Sequence, residues 1–283
     1  MKFIISLLFV FVSFSVVAAD QLPPQPLETC KAQAPYGMPQ LKLAHSDLIC
    51  RHAYLTFVDD DALIPAWESY VLLPEHTTGC VKRGNSFAAD QSIVNGRAAQ
   101  PKDYKKTNGY DTGHIANDAD MEWDPVVEKE SRILDNVAPQ LAGFNRGIWK
   151  RLETAVRAWA DERRHPMVIY AGPVYDVTKD KKIGPDGVVV PDAFWKIVVD
   201  QTTGEVAAYI FEHTITVDED HKDTYESPSN DLADYLTTVA NIEARTGIKF
   251  SLPAGADKNA KGTVWAYSTK QMAADKKSAC TIH

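Results

Sequence analysis

The segment from Phe144 to about Arg164 constrains the fold more than any other part of the chain. Ile148, Leu152, Ala155 and Trp159 recur there at helical spacing and give one apolar stripe. Pro166 closes the helix, because proline cannot continue one. Met167-Val168-Ile169-Tyr170 follows at once, a run that reads as a buried strand ending at Gly172-Pro173. An amphipathic helix leading straight into a buried strand needs a sheet to pack on. The remaining pattern supplies one. Ala53 to Val58 and Ala66 to Leu72 read as a hairpin around Asp59-Asp60-Asp61, expected to be a solvated turn. Phe194 to Val199 and Val206 to Phe211 read as two strands joined by a turn at Asp200 to Gly204. A second helix is expected over Ser229 to Thr246, with Leu232, Leu236, Val239 and Ile242 as its stripe and Gly247 as its stop. The expected fold is therefore α+β, a single domain with a central antiparallel or mixed sheet flanked by helices. With 283 residues, 45% of them hydrophobic, the chain is long enough to bury such a core.

Met1-Lys2, the apolar run Phe3 to Val17 and the small residues Val17-Ala18-Ala19 have the layout of a secretory signal peptide. Residues 1–19 are expected to be removed, and the protein to be exported to the periplasm or beyond. No later run of ~18 apolar residues is present, so no membrane association is expected of the mature form. Cys30, Cys50, Cys80 and Cys280 make an even number, which in an exported chain reads as two disulfides. Three pairings are open. Cys30–Cys50 with Cys80–Cys280 is favoured, since the first closes a short N-terminal loop and the second ties down a polar tail. No C-x2-C pair points to zinc. Residues 20–49, with Pro23, Pro24, Pro26, Pro35 and Pro39, are expected to form an extended arm. Residues 50–252 carry the domain, and 253–283 form an Ala- and Lys-rich tail expected to be irregular. The net charge of −8 argues against a protein that coats polyanions through bulk charge, so any nucleic-acid contact must be local.

The chemistry-bearing stretch is Asp111-Thr112-Gly113-His114-Ile115-Ala116-Asn117-Asp118, which follows an Asn108-Gly109 turn and places His114 where a strand meets a loop. Downstream come Asp135-Asn136-Val137-Ala138-Pro139-Gln140 and the helix bearing Asn145, Trp149, Glu153 and Arg157. Helical spacing puts Asn145 and Trp149 on one side, and Glu153 and Arg157 likewise. Asn145 can offer a neutral amide oxygen to a hard cation. Taken alone, Glu153 and Arg157 would be a surface i,i+4 pair worth ~0.3–0.5 kcal/mol.

Together these segments resemble the ββα-metal DNA/RNA non-specific endonucleases, the family of the Serratia nuclease and endonuclease G type. Its Asp-Arg-Gly-His strand–loop, Asn-x-x-Pro-Gln segment and Asn/Glu/Arg helix all have counterparts here. Arg83 to Asp90, Tyr170 to Tyr175, Val190 to Lys196 and Ile242 to Phe250 also match, so the resemblance covers about Cys50 to Phe250. It implies a hydrolase of DNA and RNA with little sequence preference that leaves 5′-phosphate ends. By position, His114 is the general base and Asn145 the direct ligand of one hydrated Mg²⁺, with Mn²⁺ as the alternative. Glu153 then holds the metal's waters, Asn136 arranges the site, and Arg157 and Arg83 bind phosphate. A homodimer is left open. One position departs from the pattern: Thr112 stands where the family has arginine. Lys106, Arg146 or Lys150 could compensate. The rival reading is a weak or inactive nucleic-acid-binding protein on the same fold.

Overall fold

A seven-stranded sheet forms the centre of the molecule in the computed structural model, which describes residues 21–93, 97–107 and 109–281. In chain order the strands are β1 (Ser46–Cys50), β2 (Tyr54–Asp59), β3 (Ile64–Leu72), β4 (Tyr110–His114), β5 (Val137–Leu141) and β6 (Met167–Val174). They continue with β7 (Lys182–Ile183), β8 (Val188–Val189), β9 (Ala193–Asp200), β10 (Val206–Glu212), β11 (Thr216–Val217), β12 (Asp223–Thr224) and β13 (Leu236–Thr237). The helices are α1 (Pro125–Ser131), α2 (Ala142–Phe144), α3 (Lys150–Arg163), α4 (Val239–Thr246) and α5 (Thr269–Ala279). The sheet runs β1-β2-β3-β6-β9-β10-β13, antiparallel throughout, while β4–β5, β7–β8 and β11–β12 are separate ribbons. This is the α+β class the sequence predicts.

Side-chain alternation sorts the strands between two cores. Val168, Tyr170, Trp195 and Ile197 face the side covered by the N-terminal arm and by Val239 and Ile242 of α4. Ile169, Ala171, Phe194 and Val198 face the other side, where they meet the β4–β5 pair and the α3 stripe. Because both faces are covered, the central strands read as nearly unbroken apolar runs. The stripe itself is as expected, with Ile148, Leu152, Ala155 and Trp159 all buried.

Several local expectations are corrected. The N-terminal arm carries a 3₁₀ turn, Thr29–Gln33, and then joins the sheet as β1. In the acidic turn, Asp59 and Asp60 are buried; Asp59 accepts from the Asp61 and Ala62 amides and from the Tyr175 hydroxyl. The helix expected from Ser229 is only α4, with Thr238 as its N-cap, accepting from the Asn241 amide. Ahead of it, Asp231 caps a 3₁₀ turn and Leu236–Thr237 pair with β10. Two consecutive threonines, one β-branched in an edge strand and one a good cap, outcompete the helical period. The tail is not irregular either: α5 begins at the Ser268 cap. Its Ala, Lys, Gln and Met content favours helix without any buried stripe. Both disulfides have the favoured pairing, Cys30–Cys50 and Cys80–Cys280, with Cα separations of 5.7 and 5.5 Å. The second fastens α5 to the body. The apolar leader and Asn108 lie outside the described residues.

Candidate active site

The antiparallel pair β4–β5, joined through α1, and the helix that follows it assemble the site. His114 is the last residue of β4, opposite Val137. Gly113 lies directly against the Gln140 side chain, and a Cβ there would come 2.2 Å from its Oε1, so only glycine admits this packing. From β5 the chain turns through α2 into a π-helical turn, Asn145–Trp149, broken at Gly147. That irregularity corrects the helical-spacing argument. Trp149 turns into the core and donates its indole N–H to the His114 carbonyl at 3.2 Å, whereas Asn145 stays at the surface. Irregular turns of this kind recur at functional sites because they re-aim a single side chain.

Arg83, His114, Asn145, Glu153 and Arg157 line one cleft of about 420 Å³. Five of the six residues singled out from sequence therefore meet in one place. The sixth, Asn136, is fully buried behind it. Its amide accepts from the Ala116 N–H at 2.8 Å and donates to the carbonyls of Ala116 and Ser131 at 3.0 and 2.9 Å. Asn136 thus bolts the loop after His114 in place. A buried ionic cluster anchors it from below. Arg51 pairs with Asp90 at 2.8 Å and Asp135 at 2.7 Å, and the Tyr54 hydroxyl donates to Asp135 at 3.0 Å.

The cleft arginines are held by aspartates. Arg83 meets Asp118 at 2.7 Å, Arg157 meets Asp120 at 2.6 Å, and Arg146 forks onto Asp111 at 2.6 and 2.8 Å. The expected Glu153–Arg157 surface pair is replaced by the Arg157–Asp120 bridge, and Glu153 is buried. Burial pushes the Glu153 carboxyl up to about 7, against the pull of Lys196 and Arg157. Burial likewise lowers His114 to about 4, opposed by Asp118, so the imidazole is neutral at pH 7. Asn145 donates its amide N–H to Asp111 at 2.9 Å. With the nitrogen end so committed, its carbonyl oxygen is left to accept or to bind a cation. Thr112 lines the cleft together with Arg146 and Lys150, while Lys106 is not part of its lining.

Two residues beneath the cleft escaped the sequence reading. Lys196 is buried in β9, donates to the Ile115 carbonyl at 3.3 Å and lies 4.6 Å from the Trp149 ring centroid. Glu68, buried in β3, accepts from the Ala116 N–H at 2.7 Å. The signal for both was a charge inside an otherwise apolar strand, where an ionised residue needs a partner.

An antiparallel strand pair whose first strand ends in histidine, followed by a helix presenting asparagine and glutamate beside arginines, is the layout of a ββα nuclease centre. The model of the DNA/RNA non-specific endonuclease family matches residues 34–257, and the chain belongs to that family. It is 28% identical over 237 residues to mitochondrial endonuclease G of Homo sapiens, covering 78% of each chain. To a nuclease of Serratia marcescens it is 26% identical over 213 residues, covering 71% of this chain and 73% of that one. A solved structure of endonuclease G in complex with its inhibitor EndoGI superposes with a TM-score of 0.66 at 25% identity, covering 78% of this chain and 91% of the other. The protein is accordingly a nuclease, a hydrolase of the endonuclease type.

Proposed function

We propose that this protein is an exported, Mg²⁺-dependent endonuclease that cuts DNA and RNA with little sequence preference and leaves 5′-phosphate ends. The observation that carries the reading is the convergence of His114, Asn145, Glu153, Arg157 and Arg83 on one cleft. Neutral His114 removes a proton from the attacking water, the role its position and protonation state suit. Arg157 and Arg83 bind the non-bridging phosphate oxygens, exchanging their aspartate partners in part for phosphate. Contacts of this kind read backbone, which suits low sequence preference.

The donor set fits a hard cation that keeps most of its water. Among the described residues no group of three or more His, Cys, Asp or Glu side chains is arranged to hold a metal. The Asn145 carbonyl would be the direct ligand and Glu153 would accept hydrogen bonds from the ion's waters. Mg²⁺ characteristically binds through one or two protein oxygens and several waters, with Mn²⁺ as the near substitute. When bound, the ion supplies charge stabilisation to the phosphate and the leaving 3′ oxygen. Export is supported by the leader pattern and by the two disulfides, which belong to oxidising compartments. In domain terms, residues 1–19 are the leader, 20–49 the arm, 50–252 the catalytic body and 253–283 the tethered tail.

Thr112 favours one rival, a nucleic-acid binder without turnover. Digestion of supercoiled plasmid with and without chelator separates the two. The endonuclease nicks only with free divalent metal, and 5′-end labelling that succeeds only after phosphatase treatment identifies a 5′-phosphate product. A protein that retards plasmid without nicking it under any divalent ion is the binder.

A further inference from the structure

The loop after His114 carries a carboxylate that the chemistry above leaves unused. Asp118 begins a 3₁₀ turn, Asp118–Asp120, and is 3% exposed. Its Oδ1 accepts from the Ser131 hydroxyl at 2.8 Å, and its Oδ2 holds Arg83 Nε at 2.7 Å. Oδ1 also lies 3.8 Å from His114 Nε2. That ring nitrogen is shut off from solvent and has no hydrogen-bond partner. The other charged groups acting on the imidazole are Arg83, already on Asp118, and Arg132 with Glu128 on α1. Arg132 is committed to Glu128 through two bonds of 3.0 Å and to the Ser86 carbonyl at 2.7 Å. The Phe87 ring packs against the imidazole at 5.3 Å between centroids and offers no charge.

The geometry points to Asp118 as the positioning residue that sets the tautomer of His114 and supports its charged form. This rests on His114 acting as the base. A carboxylate facing Nε2 keeps the single proton of the neutral ring there, which leaves the lone pair on Nδ1. The water's proton then goes to Nδ1, the Nε2 proton stays where it is, and Asp118 remains an anion facing the imidazolium. The logic is that of the buried aspartate behind the histidine of a hydrolase triad. At 3.8 Å the contact is longer than a hydrogen bond, as such contacts often are before substrate arrives. Here the tightening has a mechanical source. Arg83 pulls Oδ2 in the free protein, and an incoming phosphate competes for that guanidinium, releasing the carboxylate toward the ring.

The test is Asp118→Asn, which keeps the size of the side chain and removes its charge. Two quantities are read on the full mature chain: the pH profile of kcat/KM for plasmid nicking, and the imidazole titration of His114 by NMR in metal-free protein. The acid limb and the NMR midpoint should both fall by about one pH unit or more. Turnover should drop tenfold or more, and Asp118→Glu should restore both positions. An unmoved NMR midpoint overturns the inference even if turnover falls, since Asp118 would then act only through Arg83. The NMR arm needs no turnover. A native protein that fails to nick plasmid therefore defeats the proposed function, while the midpoint shift still decides the pairing. If Asp118→Asn does not fold, Ser131→Ala, which removes the hydroxyl that bonds Oδ1 and the Glu128 carbonyl and leaves the Asp118 charge in place, is read in the same way.

Discussion

Asn136→Ala tests whether Asn136 holds the loop that follows His114. The substitution removes three hydrogen bonds from a fully buried position. The Ala116 N–H keeps a partner in Glu68, so the damage falls on the carbonyls of Ala116 and Ser131. Leaving a buried polar group unpaired costs ~1–3 kcal/mol, so two such groups should cost about 4 kcal/mol. For a domain of this size, each kcal/mol lowers the melting temperature by ~2–4 °C, which predicts a fall of about 10 °C. A water entering the vacated space would bring the loss toward the lower end, about 2 kcal/mol. Thermal melts followed by fluorescence, with nicking rates normalised to folded protein, give both answers at once. Activity per folded molecule should fall as well, because His114 sits two residues before Ala116 on the same loop. A stability loss below ~1 kcal/mol, or full activity per folded molecule, refutes this account of Asn136.

Acid stability should depend on His213. Its Nε2 accepts from the Leu141 N–H at 2.8 Å while Nδ1 donates to the Pro191 carbonyl at 2.8 Å, a neutral tautomer, and burial lowers it to about 4. The unfolded chain therefore binds the extra proton first, and stability falls as pH drops from about 6.5 through 4. Relative to His213→Gln, the native protein should lose ~2 kcal/mol between pH 7 and 5; chemical denaturation at the two pH values measures this, and parallel curves would contradict it. Reducing both disulfides should cost ~3–5 kcal/mol for each loop on the chain-entropy estimate, visible as a lowered melting temperature, and an unchanged melt in reductant would count against the pairing. Thr112→Arg places a cation in the lining beside Arg146 and Lys150. It should raise kcat/KM or steepen the salt dependence of DNA binding by about one phosphate contact, and no change in either means that position 112 does not meet phosphate.

How much of this was legible in the sequence differs by residue. The helix stripe at Ile148, Leu152, Ala155 and Trp159 was readable because burial on one face leaves a periodic signature. The strands β6, β9 and β10 were readable because both sheet faces are covered. His114, Asn145, Glu153 and Arg157 could be gathered by their motif, and the structure brings them to one cleft. The orientations within that motif were not readable. An ideal helix cannot foretell the π turn at Gly147 that separates Asn145 from Trp149, nor that Arg157 prefers Asp120 over Glu153. Partners that lie far apart in sequence were hidden for the same reason: Arg51 with Asp135, Glu68 with Ala116, and Lys196 with Ile115 are set by strand order, which local pattern does not encode. The α5 helix was missed because nothing of it is buried, so propensity alone shaped it and no stripe announced it.

The proposed function has this cleft hydrolyse phosphodiester bonds with His114 as the base. The most direct test compares native protein and His114→Ala on supercoiled plasmid at saturating Mg²⁺, with DNA retention measured in parallel. Nicking should slow by ~10²–10⁴ while the plasmid is still bound, the scale expected when a general base is lost and the phosphate contacts remain. A variant that nicks at the native rate would contradict the account.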